Sequence, residues 1–168
     1  ARALSSVRRF FDAAAFVEVE TPVGIIAPAS EEFIEAPKAA SFFLRTSPEL
    51  QMKRLLAAGM RKIYQLGPCF RANENGRIHR PEFDMLEYYA AGIDYRELLY
   101  FTQDMIQTVA LDLHGKTSFT FRGNIIDCGA GWEIISVRDA FRAFAGKSAD
   151  ECAETHGRCL RPGRPVHA

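Results

Sequence analysis

The sequence predicts an α+β domain built on an antiparallel sheet flanked by helices. Three observations carry that expectation. In Cys69–Ala90, CFRANENGRIHRPEFDMLEYYA, aromatic residues and period-two alternation flank the turn-forming centre Asn73-Glu74-Asn75-Gly76, so the stretch reads as strand, loop and antiparallel strand. Leu4, Val7, Phe10, Phe11 and Ala14 recur at helical spacing over residues 2–14. Leu98, Phe101, Met105, Val109 and Leu113 do the same between a box-like start, Asp94-x-x-Glu97, and Gly115.

The other elements follow in order. Phe16-Val17-Glu18-Val19-Glu20 alternates as a strand and stops at Thr21-Pro22. Gly24–Ala40 holds prolines, small residues and three glutamates, and reads as irregular connection. Ser41–Arg45 is a short strand. Thr46-Ser47-Pro48-Glu49 fits a capping box opening a helix that turns Leu50, Leu55 and Leu56 inward and ends at Gly59. Lys62–Leu66 leads as a strand through Gly67-Pro68 into the central hairpin. Phe119–Arg122 and Ile125-Ile126 pair around Gly123-Asn124, and Ser136-x-x-Asp139 starts a third helix carrying Val137, Phe141 and Phe144.

At 168 residues the chain is long enough for one domain with a core and short for two. Its 48% apolar and 25% charged residues argue for a folded chain over a disordered one. No apolar run approaches a membrane span and no signal peptide opens the sequence, so the cytoplasm is the expected location. With 21 basic and 21 acidic residues, global attraction to nucleic acid is not indicated. Lys53–Arg80, however, holds seven Lys or Arg against the single acid Glu74, a local patch suited to a phosphate-bearing ligand or to a plain solvated face. The four cysteines form no Cys-x-x-Cys pair. Cys152, His156 and Cys159 make an incomplete ligand set, so reduced thiols and no metal site are expected.

The central hairpin carries the chemistry. Arg71, beside the turn, offers a bidentate donor for phosphate and carboxylate. Arg77 and His79 lie beyond the turn, Phe83 offers a ring for stacking, and Glu87 and Tyr89 share one strand face where they could meet an amine. No glycine-rich phosphate loop of the Walker type occurs. Taken singly, each has an ordinary structural reading: surface charges, a packed tyrosine, a salt bridge.

In combination they resemble a known family. Phe70-Arg71, Gly76-Arg77, His79, Pro81-Glu82-Phe83 and Met85-Leu86-Glu87 look like motif 2 of the class II aminoacyl-tRNA synthetases, the lysine branch most closely. Thr46–Gly59, TSPELQMKRLLAAG, is similar to the lysyl synthetase-related ligases that modify elongation factor P, and the helix, strand and proline of residues 2–22 resemble motif 1, which in that family builds a dimer interface. The resemblance covers roughly residues 2–146. It implies that Arg71 is the catalytic residue, on the α-phosphate and substrate carboxylate. It implies an ATP site of Arg71, Glu74, Arg77, His79 and Phe83, with Arg77 and His79 on the outer phosphates. Glu49 then holds the α-ammonium of the amino acid, and Glu87 and Tyr89 its side-chain amine. ATP as substrate and Mg²⁺ are implied with them.

Two positions depart from the pattern: Arg80 stands where the family usually has asparagine, and Asn73 where most members have glutamate, Glu74 coming one residue later. Nothing resembles motif 3, the acids that hold magnesium belong to that missing half, and no anticodon-binding barrel precedes the domain. The expectation is therefore a truncated catalytic domain over residues 1–156 and a disordered basic tail over 157–168. Its expected function is to activate lysine as an adenylate and transfer it to elongation factor P. A fragment of a lysyl-tRNA synthetase, or a non-catalytic paralogue that binds nucleotide, amino acid or protein, are the alternatives.

Overall fold

The computed structural model describes residues 1–155. The tail expected over 157–168, with His156 and Cys159, lies outside them. The chain groups into two compact units, one spanning Ala1–Gly129 and one starting at Ala130.

The first unit opens with α1 (Arg2–Ala13), followed by β1 (Val17–Glu18), β2 (Gly24–Ile25), β3 (Lys38–Ala39) and β4 (Phe42–Leu44). Then come α2 (Glu49–Ala57), the long strands β5 (Lys62–Phe70) and β6 (Glu82–Ala90), α3 (Tyr95–His114), and the hairpin β7 (Ser118–Phe121) with β8 (Asn124–Asp127). The principal sheet runs β1-β5-β6 and a smaller one β2-β4-β3. Its heart is antiparallel, as the alternation implies, with β5 and β6 paired from Lys62↔Ala90 to Phe70↔Glu82. β1 joins it parallel to β5 through Val17↔Ile63 and Glu18↔Tyr64, and is shorter than the five alternating residues predict. The connection over Gly24–Ala40 is not irregular throughout, because β2 and β3 flank β4 there.

The sheet divides its side chains between two faces. Leu86, Tyr88 and Ala90 turn toward the helices and pack with Val7, Phe10 and Ala14 of the α1 segment and Phe101 and Ile106 of α3 around Phe11, Phe16, Tyr64 and Met105. Phe11 stacks on Tyr64 at 4.5 Å between ring centroids and meets Phe16 edge-on at 5.1 Å. Both predicted helical faces are therefore core. Alternate residues Phe83, Met85, Glu87 and Tyr89 occupy the opposite face.

Helix ends follow the capping logic, with one correction. Asp94 and Glu97 form the reciprocal box that starts α3, and left-handed Gly115 ends it. At α2, however, the Glu49 N–H donates to the Ser47 hydroxyl at 3.0 Å, and Thr46, expected to form the box, is buried. Met52 is the fully buried residue of that helix, whereas Leu50, expected inward, is 46% exposed.

In the second unit, the Ser136 hydroxyl accepts the Asp139 N–H at 3.1 Å and starts α4 (Val137–Ala140), which continues as a π-helical turn over Phe141–Ala145. A last helix, α5, spans Ala149–Thr155.

Candidate functional site

The face of β5 and β6 turned away from the aromatic core carries the predicted residues. Antiparallel register sets Cys69 opposite Phe83, Gly67 opposite Met85, Gln65 opposite Glu87 and Ile63 opposite Tyr89. Two groups form on it.

The first is at the mouth of the hairpin. Arg71 follows β5 directly, its N–H donating to the Pro81 carbonyl across the loop at 2.9 Å. Its guanidinium carbon lies 5.2 Å from the centroid of the Phe83 ring, a cation–π arrangement, and its Nη1 stands 3.9 Å from Glu74 Oε1. The Arg71 Nε is buried and, among the described residues, has no acceptor. An orphaned donor of this kind is costly unless something meets it. Glu74 and His79, with Asn73, Asn75 and Gly76, line a hollow of about 360 Å³ in the loop, while Arg77 and Arg80 are exposed beside it.

The second group is deeper along the sheet. The Tyr89 hydroxyl donates to Glu87 Oε1, and the Ser47 hydroxyl donates to Glu87 Oε2 at 2.9 Å. Burial pushes the Tyr89 phenol well above its ordinary value, helped by the hydrogen bond to Glu87 and the charges of Glu87 and Glu49. Glu49 stands at the start of α2 with its carboxylate 2.5 Å from Lys53 Nζ, an ammonium one turn on. So Glu87 and Tyr89 meet directly, and Glu49 is linked to them through its backbone and Ser47.

Cys69 lies between the groups. Burial raises its thiol; the Arg45 charge lowers it, Glu87 raises it and Arg71 lowers it again, so one sulfur senses both groups. The central hairpin thus gathers Arg71, Glu74 and Phe83 at one end, and Glu87 and Tyr89 at the other.

Three supporting residues escape the pattern reading. Arg45, 2% exposed, donates from Nε to the Pro68 carbonyl at 2.9 Å and from Nη1 to the Thr21 carbonyl at 2.7 Å and to Thr21 Oγ1 at 3.1 Å. Its own N–H donates to the Val23 carbonyl, and its carbonyl accepts the Phe70 N–H, both at 2.9 Å. Glu35, from the β2–β3 connection, accepts the Asn73 side-chain amide at 2.7 Å and, through its carbonyl, the Ala72 N–H at 2.8 Å. Asn73 holds φ at +62°, a left-handed conformation that asparagine tolerates. Ser47 is the third. Of the three, only Ser47 lay within a signal the sequence singled out, the Thr46-Ser47-Pro48-Glu49 helix start.

Comparison with known proteins identifies the family. The family model described as tRNA synthetases class II (D, K and N) matches residues 1–157. The lysine–tRNA ligase of Roseiflexus sp. (strain RS-1) is 36% identical over 159 residues, covering 92% of this chain and 32% of the relative. Those of Burkholderia vietnamiensis and Pelotomaculum thermopropionicum are 34% and 35% identical, covering 89% and 88% of this chain. The chain spans about a third of the length of these curated relatives, 30% to 32%. The chain belongs to the class II tRNA synthetase family of the D, K and N group.

Proposed function

We propose that this chain carries the ATP and amino-acid half of a ligase that activates lysine as its adenylate. The observation that carries the reading is Arg71: a half-buried guanidinium against the Phe83 ring, whose buried Nε meets no acceptor among the described residues, at the end of the sheet face that also bears the Glu87–Tyr89 pair. In the reaction the lysine carboxylate attacks the α-phosphorus of ATP and pyrophosphate leaves. Negative charge builds on the phosphoryl oxygens, and a fixed, forked donor beside them lowers that barrier. Arg71 is assigned this catalytic role. Phe83 takes the adenine, Glu74 and the exposed Arg77 and His79 complete the ATP contacts, Glu49 holds the α-ammonium, and Glu87 with Tyr89 holds the side-chain ammonium. A buried ammonium requires such a pairing.

Magnesium is the implied companion of ATP. Among the described residues no three Asp, Glu, His or Cys side chains converge as metal ligands, so these residues do not form a magnesium site and no step is assigned to the ion.

The acceptor we assign first is a lysine amine of elongation factor P, from the likeness of Thr46–Gly59 to the ligases that modify it. The second reading, transfer to tRNA, is favoured by the relatives, which are lysine–tRNA ligases. The inner side of α1 packs into its own core, so a homodimer through residues 2–22 would use the outer side of that helix and the exposed Val17 edge. No helix among the described residues is long and apolar enough to cross a membrane.

The test is lysine-dependent ATP–pyrophosphate exchange by the full-length protein, followed by transfer of labelled lysine to elongation factor P or to tRNA. Exchange is the expected outcome. Binding of ATP and lysine without exchange would move the chain to the third reading, a non-catalytic binding module.

A further inference from the structure

The loop between β5 and β6 is closed by bonds of its own: the Arg71 N–H donates to the Pro81 carbonyl at 2.9 Å and the Gly76 N–H to the His79 carbonyl at 3.3 Å. A further attachment comes from outside the hairpin. Glu35 accepts the Ala72 N–H through its main-chain carbonyl at 2.8 Å, and the Asn73 side-chain amide through Oε2 at 2.7 Å. Two residues on, the Pro37 carbonyl accepts the Leu44 N–H at 2.9 Å and Lys38 pairs with Phe43, so Glu35 is rooted in the β2-β4-β3 sheet. Ala72 and Asn73 are the whole of the chain between Arg71 and Glu74, whose side chains stand 3.9 Å apart. Asn73 is also where this stretch turns left-handed, at φ +62°.

We propose that Glu35 is a positioning residue for the nucleotide: by holding Ala72 and Asn73 it fixes how Arg71 and Glu74 stand to one another, and with that the affinity for ATP. This rests on the ATP reading given above. Glu35 acts through the loop and not on the ligand. Its main-chain bond survives any change of side chain, so the bond to the Asn73 amide is the part a substitution removes. That bond has a direction, with the amide donating and the carboxylate accepting. A carboxylate at position 73 would have no proton to give and would meet Glu35 with like charge. The asparagine at 73 and the glutamate at 35 therefore work as a pair.

The experiment measures binding of labelled ATP and labelled L-lysine to the full-length protein by equilibrium dialysis. Its variants are Glu35→Ala, Glu35→Gln, Asn73→Asp and the double variant Glu35→Gln with Asn73→Asp. Both Glu35 substitutions remove the same charge, so their difference isolates the hydrogen bond from any repulsion between a carboxylate and the phosphates. Glu35→Gln keeps a side-chain oxygen for the Asn73 amide. Glu35→Ala is therefore expected to bind ATP about fivefold more weakly than Glu35→Gln, the order one such bond commands, while lysine binding stays the same. Asn73→Asp alone is expected to weaken ATP, and the double variant, which reverses donor and acceptor at constant net charge, to return to within about twofold of wild type. Equal ATP affinity in Glu35→Ala and Glu35→Gln overturns the proposal. So does a parallel loss of ATP and lysine, the mark of a merely structural residue, or a double variant no better than Asn73→Asp. Those results, with ATP bound by the wild type, defeat only this inference, whereas a wild type that binds no ATP defeats the ATP reading and the inference with it.

Discussion

Arg71 leaves β5 with its guanidinium between the Phe83 ring and the Glu74 carboxylate, and with its Nε unmet by any described acceptor. Replacing it with alanine is expected to lower lysine-dependent pyrophosphate exchange by about a hundredfold or more, the usual consequence of losing a preorganised donor to a developing oxyanion. Lysine at that position keeps a charge but loses the fork, so it should restore little of the rate; a variant as fast as wild type would remove Arg71 from the mechanism. At the other end of the face, Glu87→Gln is expected to weaken lysine about tenfold or more, since a charged hydrogen bond is lost, while ATP affinity, read by calorimetry, stays nearly constant. Equal losses would count against the pocket. That Glu87 and Tyr89 share a face was legible in the sequence, because two-residue periodicity puts alternate strand positions on one side. Arg45 was not: a single cation ending SFFLR reads as the polar boundary of a strand, and only the neighbouring chain around Thr21 and Pro68 reveals it as buried.

Elements were legible where their signals are local. The Asp94–Glu97 box and Gly115 delimit α3 where the sequence indicates. The β7–β8 turn falls one place before the expected Gly123-Asn124: Asn124 pairs with Phe121, and the turn holds Arg122 at φ +50° and Gly123 at +83°, the conformation favoured in two-residue hairpins. Ambiguity entered at α2, where two adjacent residues, Thr46 and Ser47, carry a hydroxyl and tertiary packing decides: Thr46 is buried, and the Glu49 N–H donates to Ser47. Two substitutions test these devices. Asp94→Ala removes the carboxylate that accepts the Arg96 and Glu97 N–H groups and is expected to lower stability by about 1 kcal/mol, measured by chemical denaturation. Gly67→Ala places a methyl 3.2 Å from Arg45 Nη2. The guanidinium is pinned by its bonds to Thr21 and Pro68, so it cannot retreat freely, and a loss of about 1–3 kcal/mol is expected, as for other overpacked sites; a neutral result would show that the arginine yields.

At the scale of the molecule, Arg45 links the β1-β5-β6 and β2-β4-β3 sheets of the first unit, bonding Thr21 and Val23 on one side and Pro68 and Phe70 on the other. Such a junction is long-range in sequence, and for that reason periodicity and capping gave the strands but not how the sheets meet. Two buried acids, Tyr64 and Cys69, and the half-buried Tyr89 also set a pH limit. Burial raises Cys69, Tyr64 and Tyr89, so the folded chain holds these protons more tightly than the unfolded one, whose thiols titrate near 9.0 and phenols near 10.0. Stability contributed by these groups is complete below the unfolded values and declines as pH rises through the folded ones. Melting temperature is therefore expected to fall from about pH 9 upward, and a flat profile to pH 11 would contradict the burial of these groups. Another consequence comes from the sheet order, in which β6 is the last strand of its sheet. Along its nine residues, Glu82–Ala90, no further strand pairs with the outer margin among the described residues, and such a margin is a template on which a further strand can be laid. Expressed by itself, this length of polypeptide should therefore adhere to its own copies as concentration rises, and light scattering against dilution would reveal it.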